Sequence, residues 1–511
     1  MRTHFSKSRT CFAVVSLMAA AAASSLAPSR SAEPARAGLS LAVLPLANAS
    51  GDAGQEALAD GLTEEVGGTL ARVPGLHVTA RMGAFRYKGQ SPDAKTVGQA
   101  LGATHLIEGT VRKVDDRIRL SAKLLRASDG AQLWSQDYYT QFSGIFDIEE
   151  DIATSVAATL KVSLGPSASK LVPSRTADME AYENFLRARP LIRARGREPF
   201  AQAAVLLEQA VAKTPDFAPA VAMLAFDYDL APLYQQSLRS GDSEAARKFV
   251  DSVIPKAEML ARRATQLDPA SADAYLALAY AQMAQGRLLQ ADESFQKSLA
   301  LDSDNTNALH GYSQLLGAYG RIKDSLAMRK KMQPLEPFFI NYVADTAEIY
   351  WLDGDDKTAV EMLNQFRPGR TAELAQVQAS LGHYTEAAKV LREMPATNYA
   401  PGILEAAAHL LETAPSKPKS AQDLPRLGNL GFVYLHAGAP ERVMEYYESN
   451  LRAGYFQPIS STWFWHKSYA PVRKLERFKA YARNIGFADL WRARGWPAAC
   501  RPVGANDFAC D

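Results

Sequence analysis

Small and apolar side chains recur with a period of 34 residues in the middle of the chain. Gly286, Gly320 and Gly354 are 34 residues apart, and a pair of small or mid-sized side chains comes seven or eight positions before each. Turn sequences separate the units at 268–269, 302–303 and 336–337. Apolar positions at steps of three and four share one helix face, and a glycine lets the chain reverse. The pattern predicts an array of helix–turn–helix units.

Residues 39–164 show a different pattern, in which short apolar runs alternate with helical periodicity. In residues 117–126 apolar and polar side chains alternate strictly, which indicates a sheet with one solvated face. We predict strands over 41–46, 76–80, 104–114, 117–126 and 132–139, and helices over 58–73, 93–101 and 145–160. The predicted fold class is therefore an α/β domain with a small mixed sheet, followed by an all-α solenoid.

Both parts resemble known families. The units at 272–303 and 306–337 resemble tetratricopeptide repeats, and the unit at 340–368 does so more loosely. Within 39–164, the segments LAVLPLANASGD, ADGLTEEV, LGATHLIEGTVRKVDDRIRLSAKLL and DGAQLWSQDY resemble a bacterial family whose domain is similar to the amino-terminal domain of the translocation protein TolB. In that family the domain commonly precedes tetratricopeptide repeats, and it often follows an adenylate cyclase or winged-helix domain. Only a leader precedes Leu39, so the resemblance implies neither activity here, and it supplies no catalytic residues.

The first 37 residues have the pattern of a secretory leader. A basic start precedes an apolar run over Phe12–Ala23, and Ala35-Arg36-Ala37 offers a cleavage site. The alternative is an uncleaved anchor over Thr10–Ala27, although the run is short for a membrane span. Both interpretations place the rest of the chain in the periplasm or outside the cell, and no other stretch is apolar enough to span a membrane.

Composition shifts divide the remaining chain. Residues 165–176 (GPSASKLVPSRT) form a polar linker, residues 177–455 form the repeat solenoid, and about 20 extra residues lengthen one hairpin near 233–252. Residues 456–511 contain four tryptophans, at 463, 465, 491 and 496. Because the last repeat of a solenoid needs covering, we expect this segment to be a cap rather than a ligand site.

The first helix of each repeat is expected to line a concave groove that binds protein or peptide partners. Its outward positions are predicted to be Leu276, Tyr280, Met283, His310, Gln314, Glu348 and Trp351. A groove that captures C-terminal carboxylates needs Lys, Arg and Asn at such positions, so that mode is disfavoured. The alternative is that several of these side chains pack on the insertion at 233–252.

Motifs for chemistry are not found. The sequence has no phosphate-binding glycine loop, no GxSxG, no HExxH and no CxxC, and its eight histidines are dispersed. We therefore expect no catalytic residues, no metal and no cofactor. A net charge of +2 gives no electrostatic reason to expect nucleic acid as a partner.

Three cysteines occur, and Cys11 lies in the leader. Without the leader the chain would hold two cysteines, Cys500 and Cys510. An even number of cysteines in an oxidising compartment favours pairing, so we expect a disulfide that holds the tail near Trp491 and Trp496. The ending WRARGWPAACRPVGANDFACD resembles a recurring ending of such repeat proteins, which supports the bridge. No helix or strand pattern is visible between the cysteines, and the alternative is two free thiols on a frayed tail.

These features favour an exported, non-enzymatic scaffold or adaptor that binds protein or peptide partners through its repeats. The alternative is an extracytoplasmic sensory module that binds a small ligand between the α/β domain and the first repeats. An enzyme without recognisable motifs is the least favoured interpretation. The sequence indicates neither the partner nor the oligomeric state.

Overall fold

The amino-terminal part of the structure is a sheet covered by helices. A computed structural model describes residues 39–79, 81–164, 171–172, 176–240, 242–365, 371–395, 399–414, 421–456 and 461–511. These all belong to one unit, Gly38–Asp511. The predicted leader and most of the predicted linker lie outside the described residues.

The strands and helices of this part agree closely with the predicted ones. The strands are β1 (Ser40–Val43), β2 (Ala47–Asn48), β3 (His77–Val78), β4 (His105–Val114), β5 (Arg117–Arg126) and β6 (Gln132–Gln141). The helices are α1 (Glu56–Ala71), α2 (Ala94–Leu101) and α3 (Ile145–Thr159). A short 3-10 helix at Gly83–Tyr87, between β3 and α2, has no counterpart in the sequence pattern.

The sheet is mixed, as predicted. Its order is β3-β1-β4-β5-β6, with β2 paired to β4. The pairs of β1 with β3 and β4 are parallel, whereas β4, β5 and β6 form an antiparallel meander. In β5 the side chains alternate between buried and exposed, with Ile118, Leu120, Ala122 and Leu124 buried. The alternation predicted from the sequence is therefore present, and β6 forms one edge of the sheet.

The repeat array follows in regular register. Its first part consists of α4 (Met179–Ala194), α5 (Arg197–Lys213), α6 (Ala218–Leu230), α7 (Gln236–Ser240) and α8 (Ser243–Leu267). The 34-residue units are α9 (Ala272–Ala284), α10 (Leu288–Leu301), α11 (Thr306–Ala318), α12 (Ile322–Met332), α13 (Ile340–Leu352) and α14 (Asp356–Asn364). The starts of α9, α11 and α13 are 34 residues apart, and so are those of α10, α12 and α14. The chain therefore contains tetratricopeptide-type helical hairpins.

A repeated backbone arrangement ends the first helix of each unit. Gly286, Gly320 and Gly354 have φ values of +72°, +90° and +92°, in the left-handed region that favours glycine. The residue after each glycine donates its N–H to the carbonyl of the residue five positions earlier, as in Arg287 N to Gln282 O at 2.9 Å. This bond satisfies a carbonyl that the helix end would otherwise leave unpaired.

The lengthened hairpin is the pair α6 and α8. The predicted insertion becomes α7 and the first part of α8, a helix of 25 residues. Its apolar side chains at Leu238, Val250 and Ile254 pack with Ala284 and Tyr455. The insertion therefore contacts the carboxyl-terminal part of the chain.

The carboxyl-terminal part folds back over the repeats. It contains α15 (Thr371–Ser380), α16 (Tyr384–Arg392), α17 (Ile403–Glu412), α18 (Val433–His436), α19 (Met444–Arg452), α20 (Ala470–Arg473), α21 (Glu476–Asn484), α22 (Phe487–Arg494), β7 (Cys500–Val503) and β8 (Asp507–Cys510). We call residues 461–511 the carboxyl-terminal segment. It contacts the last repeat helix, where the rings of Phe464 and Tyr447 are 4.3 Å apart. It also reaches back across α9 to α13, so it covers more than the end of the solenoid.

Two short strands form where the sequence shows no strand pattern. Strands β7 and β8 pair antiparallel, and Cys500 lies directly opposite Cys510. The two sulfur atoms are bonded in the structure. Phe508 is buried against Trp491 at 5.1 Å between ring centroids, which anchors the hairpin to the segment. Neither CRPV nor DFAC shows the strict apolar–polar alternation from which a strand is predicted.

Candidate functional site

The seven predicted groove residues occupy the first helices of three successive units. Leu276, Tyr280 and Met283 lie in α9, His310 and Gln314 in α11, and Glu348 and Trp351 in α13. Five of them are between 1% and 6% exposed, whereas His310 and Gln314 are partly exposed. The expectation that these positions face outward is therefore wrong for Leu276, Tyr280, Met283, Glu348 and Trp351.

Neighbouring helices account for the burial of Tyr280. Its ring makes edge contacts with Phe226 of α6 at 5.4 Å and with Phe295 of α10 at 5.5 Å. Burial raises the pKa of its hydroxyl. The insertion at 233–252 packs on the end of α9 at Ala284, and its Leu233, Tyr234 and Phe249 also pack against the core cluster that contains Tyr280.

Trp351 is covered by the carboxyl-terminal segment. Its indole stacks on His466 at 4.1 Å between ring centroids, and its Nε1 donates to Ser380 Oγ at 3.0 Å. Burial lowers the pKa of His466 to about 4, so the stacked imidazole is neutral at pH 7. Two stacked, uncharged rings inside the protein form a packing contact rather than a binding surface.

His310, Gln314 and Glu348 belong to a polar cluster around Arg329 of α12. Arg329 is fully buried, and its Nη1 donates to His310 Nδ1 at 2.8 Å. Gln314 Nε2 donates to Asp345 Oδ2 at 3.1 Å, and Arg329 Nη2 lies 3.8 Å from the same oxygen. Burial lowers the pKa of Arg329. The pairing of Arg329 with Asp345 offsets part of the cost of burying its charge.

Arg329 was not singled out from the sequence as a member of this cluster, although a signal was present. The equivalent positions in the neighbouring units carry Phe295 and Leu363, both buried. A charged residue at a position where its counterparts are apolar and buried indicates a buried polar partner.

The tryptophans of the carboxyl-terminal segment bind the turns of the repeats. Trp465 Nε1 donates to Ala318 O at 2.8 Å, and Trp491 Nε1 donates to Tyr319 O at 2.9 Å. Both carbonyls lie at the end of α11, where a helix leaves such groups unpaired. A Cβ on Gly320 would approach the Trp465 ring to 3.0 Å, so the glycine also makes room for the segment.

The α/β domain contacts the edge of the repeats opposite the one that Trp465 and Trp491 contact. The loops between hairpins form this edge. His77 Nδ1 lies 2.9 Å from Asp304 Oδ2, and Thr79 Oγ1 donates to Pro334 O at 2.9 Å. Glu336 is 1% exposed, and its carboxylate accepts the N–H groups of Met82 at 2.8 Å and Gly83 at 2.9 Å. Burial raises the pKa of Glu336 to about 7.

A cavity of about 350 Å³ lies at this junction, lined by Met82, Gly83, Arg86, Phe338 and Phe339. We call it the junction pocket. Its walls come from both the 3-10 segment of the α/β domain and the loop before α13. The Arg86 guanidinium carbon lies 4.1 Å from the centroid of the Phe338 ring. The sequence alternative placed a ligand between the α/β domain and the first repeats, whereas this pocket lies at the loop before α13, and its residues were not singled out from the sequence.

A second surface lies on the solvated side of the meander, which we call the outer face. It is formed by Glu108, Thr110, Arg112, Val114, Arg117, Arg119, Ser121, Lys123, Ser135, Asp137, Tyr139 and Gln141. Tyr139 is 70% exposed, the most exposed large hydrophobic side chain among the described residues, and Val114 is 49% exposed. The outer face therefore combines apolar and charged side chains in contact with solvent.

Neither a metal site nor a membrane span is present in the described part of the chain. No group of three or more His, Cys, Asp or Glu side chains there is placed to hold a metal ion. No helix among the described residues combines the length and the apolar character that crossing a membrane requires.

Comparison with known proteins gives one partial sequence relative. No family model matches the chain. Putative adenylate cyclase 3 of Rhizobium meliloti (strain 1021) is 37% identical over 154 residues, which are 30% of this chain and 26% of that protein. The chain therefore spans about a quarter of the length of this curated relative.

Solved structures of repeat proteins match at low identity. A tetratricopeptide repeat protein from Parabacteroides merdae ATCC 43184 is 13% identical, with 53% of this chain and 96% of that chain covered and a TM-score of 0.33. The thermophilic repeat protein TTC0263 of Thermus thermophilus is 18% identical, with 40% and 94% covered and a TM-score of 0.28. The human IFIT1 dimer with m7Gppp-AAAA is 15% identical, with 60% and 77% covered and a TM-score of 0.37. The repeat assignment rests on the 34-residue register described above.

The burial of Trp351 leads to a stability prediction. Trp351→Ala should lower the free energy of unfolding by about 3–5 kcal/mol, because it removes a large buried ring and leaves a cavity. The midpoint of thermal unfolding measures this, and Tyr139→Ala is the matched control, since an exposed ring should change stability by less than about 0.5 kcal/mol. Equal midpoints for the two variants would contradict the packing role of Trp351.

The buried Glu336 leads to a prediction about pH. Its pKa is about 7 in the folded protein and 4.5 ordinarily, so the folded state binds the proton more tightly. The contribution of Glu336 to the free energy of unfolding is therefore greatest below pH 4.5. It falls by on the order of 3 kcal/mol as the pH rises to about 7. Glu336→Gln keeps an acceptor oxygen without the charge.

We expect the Gln variant to lose less stability than the parent between pH 5 and pH 7.5, as measured by urea unfolding. Comparison with the parent is necessary because burial also raises the pKa values of Glu149 and Asp227 to about 8. Parallel stability curves for parent and variant would show that Glu336 does not titrate in this range.

Proposed function

We propose that this chain is an exported, non-enzymatic scaffold that binds a protein partner through the outer face of its α/β domain. The repeats and the carboxyl-terminal segment form the frame that holds this domain. The sequence resemblance to the TolB amino-terminal domain supports a bacterial envelope protein, and the missing catalytic motifs support a binding role. Binding through the predicted groove would require buried side chains to become exposed, which favours another surface.

The exposed composition of the outer face is the observation that carries the proposal. Tyr139 lies opposite Arg119 in the register of β6 and β5, and Arg119 lies opposite Arg112 of β4. Tyrosine and arginine are the residue types that most often dominate binding energy at protein interfaces. A row of one tyrosine and two arginines across three strands is therefore a suitable centre for an interface.

Charge indicates the chemistry of the partner. The outer face has four basic side chains and two acidic ones, and both acids already have partners. Asp137 accepts from Ser121 and lies 3.5 Å from Arg119, and Glu108 lies 3.5 Å from Lys123. Arg112 and Arg117 have no carboxylate at ion-pair distance among the described residues. We therefore propose a partner segment rich in Asp and Glu.

Like charges directly opposite each other on a sheet are destabilising. Arg112 and Arg119 form such a pair, and an anionic partner segment between them would relieve the repulsion. Both side chains are exposed, so salt should weaken the attraction.

A second candidate function is a sensory module that binds a small ligand, which was the alternative interpretation of the sequence. The junction pocket favours it, because ligand sites often occur between domains and the volume lies at the small end of their range. The partial relationship to a putative adenylate cyclase is compatible with either candidate.

Charge reversal tests the scaffold proposal. The double variant Arg112→Glu/Arg117→Glu should lose capture of a partner from a periplasmic extract of the source organism, whereas Arg247→Glu/Arg501→Glu should retain it. Each control arginine is 67% exposed and lies away from the outer face. Mass spectrometry of the captured proteins, with elution by increasing salt, provides the measurement.

A partner that is captured equally by both double variants would show that binding occurs elsewhere on the chain. No specific partner with the parent protein would count against the scaffold proposal itself. Thermal unfolding of each variant confirms that the compared proteins are equally folded.

A reporter fusion tests export. Alkaline phosphatase joined after residue 38 should be active, because its disulfides form only outside the reducing cytoplasm. A fusion that lacks residues 1–37 should be inactive and serves as the control. Inactivity of the first fusion at normal protein levels would contradict export.

A further inference from the structure

The junction pocket has apolar walls that are held in place. Phe339 makes an edge contact with Tyr342 at 4.7 Å between ring centroids. The Tyr342 hydroxyl donates to Asn307 Oδ1 at 2.7 Å, which fixes that ring in turn. Phe338 and Met82 complete the apolar lining, and both are partly exposed to the cavity. Aromatic rings and a thioether are favourable neighbours for another aromatic ring.

Arg86 supplies the single charge among the lining residues. Its guanidinium covers one face of Phe338 at 4.1 Å, and Tyr87 lies farther away at 5.6 Å. Within the described residues, Arg86 has no carboxylate at ion-pair distance. Its N–H groups are therefore available for an acceptor from solution, and a carboxylate matches their planar geometry.

Other charged groups near the junction are already paired. Arg81 lies 3.5 Å from Asp302, and Arg193 lies 2.9 Å from Asp60. The Glu336 carboxylate accepts the two N–H groups of Met82 and Gly83. The unpaired Arg86 therefore distinguishes the pocket from the surrounding contacts between the α/β domain and the repeats.

We infer that the junction pocket binds a free aromatic carboxylate, with the ring between Met82, Phe338 and Phe339 and the carboxylate on Arg86. The inference rests on the second candidate function and assigns its ligand class. A cavity of about 350 Å³ accommodates a one- or two-ring acid. The pocket combines an apolar lining with one cation, so neither a simple aliphatic acid nor a neutral aromatic compound satisfies both.

Calorimetric titration with defined compounds tests this inference on the full chain. Phenylacetate and 3-phenylpropionate should bind, whereas 2-phenylethanol, phenethylamine and propionate should bind at least about tenfold more weakly, because each lacks the carboxylate or the ring. Arg86→Met should weaken phenylacetate binding at least about tenfold, and Phe338→Leu should weaken it less than Phe338→Ala. Arg247→Met, in α8, is the control and should leave the affinity unchanged.

Several results would overturn the inference. Equal affinity for phenylacetate and 2-phenylethanol, unchanged affinity in Arg86→Met, or no heat of binding at millimolar phenylacetate would each exclude the proposed ligand class. A peptide that ends in phenylalanine and binds ten times more tightly than phenylacetate would show that a chain terminus is the natural occupant.

Failure of the aromatic-carboxylate inference can be distinguished from failure of the sensory function itself. A different small molecule that co-purifies with the protein, identified by native mass spectrometry and lost in Phe338→Ala, would retain a sensory pocket with another ligand. The capture experiment on the outer face involves different residues and is independent of both results.

Discussion

The carboxylate of Glu336 fixes the start of the 3-10 segment at 83–87 on the repeats. Burying a carboxylate is costly unless hydrogen bonds replace its water, and here two backbone N–H groups offset part of that cost, since burial still raises the pKa of Glu336 to about 7. These N–H groups belong to Met82 and Gly83, where the 3-10 segment at 83–87 begins. The same contact therefore places Arg86 beside Phe338 and creates the junction pocket. The geometry of the pocket depends on one buried acid in a loop that the sequence pattern marks only as a turn.

The opposite edge of the repeats is fixed by a different kind of contact. Indole N–H groups of Trp465 and Trp491 donate to carbonyls that end α11, and Gly320 leaves space for the ring of Trp465. A helix end that would otherwise be hydrated is thus covered by apolar rings without losing its hydrogen bonds. With both edges covered, five of the seven predicted groove residues are buried. The outer face, in contrast, exposes Tyr139 together with four basic side chains.

The regular parts of this structure could be predicted from the sequence because their causes are local. The 34-residue period predicted the units of α9 to α14, and strict alternation predicted β5 with its buried side at Ile118 and Leu120. The burial of Tyr280 and Trp351 could not be predicted, because a period shows which positions share a helix face but not what packs against that face. Phe338 and Phe339 follow Pro337 in a turn and have no periodic neighbours, so their role as pocket walls was not predictable either. The pair β7 and β8 was missed because each strand is short and Pro502 argues against a strand, although Pro is tolerated at an edge.

The two candidate sites share the α/β domain but use different residues, and the junction pocket also takes Phe338 and Phe339 from the repeats. Ala84 of the 3-10 segment packs with Leu101 of α2 and Leu106 of β4, in the strand that also carries Arg112. This contact path joins the junction pocket to the outer face through tightly packed side chains. Continuity of packing is not coupling, however, because coupling needs an element with two arrangements that both ligands bias differently. The 3-10 segment is held by Glu336 on one side and packed on α2 on the other. We therefore propose no coupling between a protein partner on the outer face and a small acid in the junction pocket, since continuous packing alone gives no reason for it.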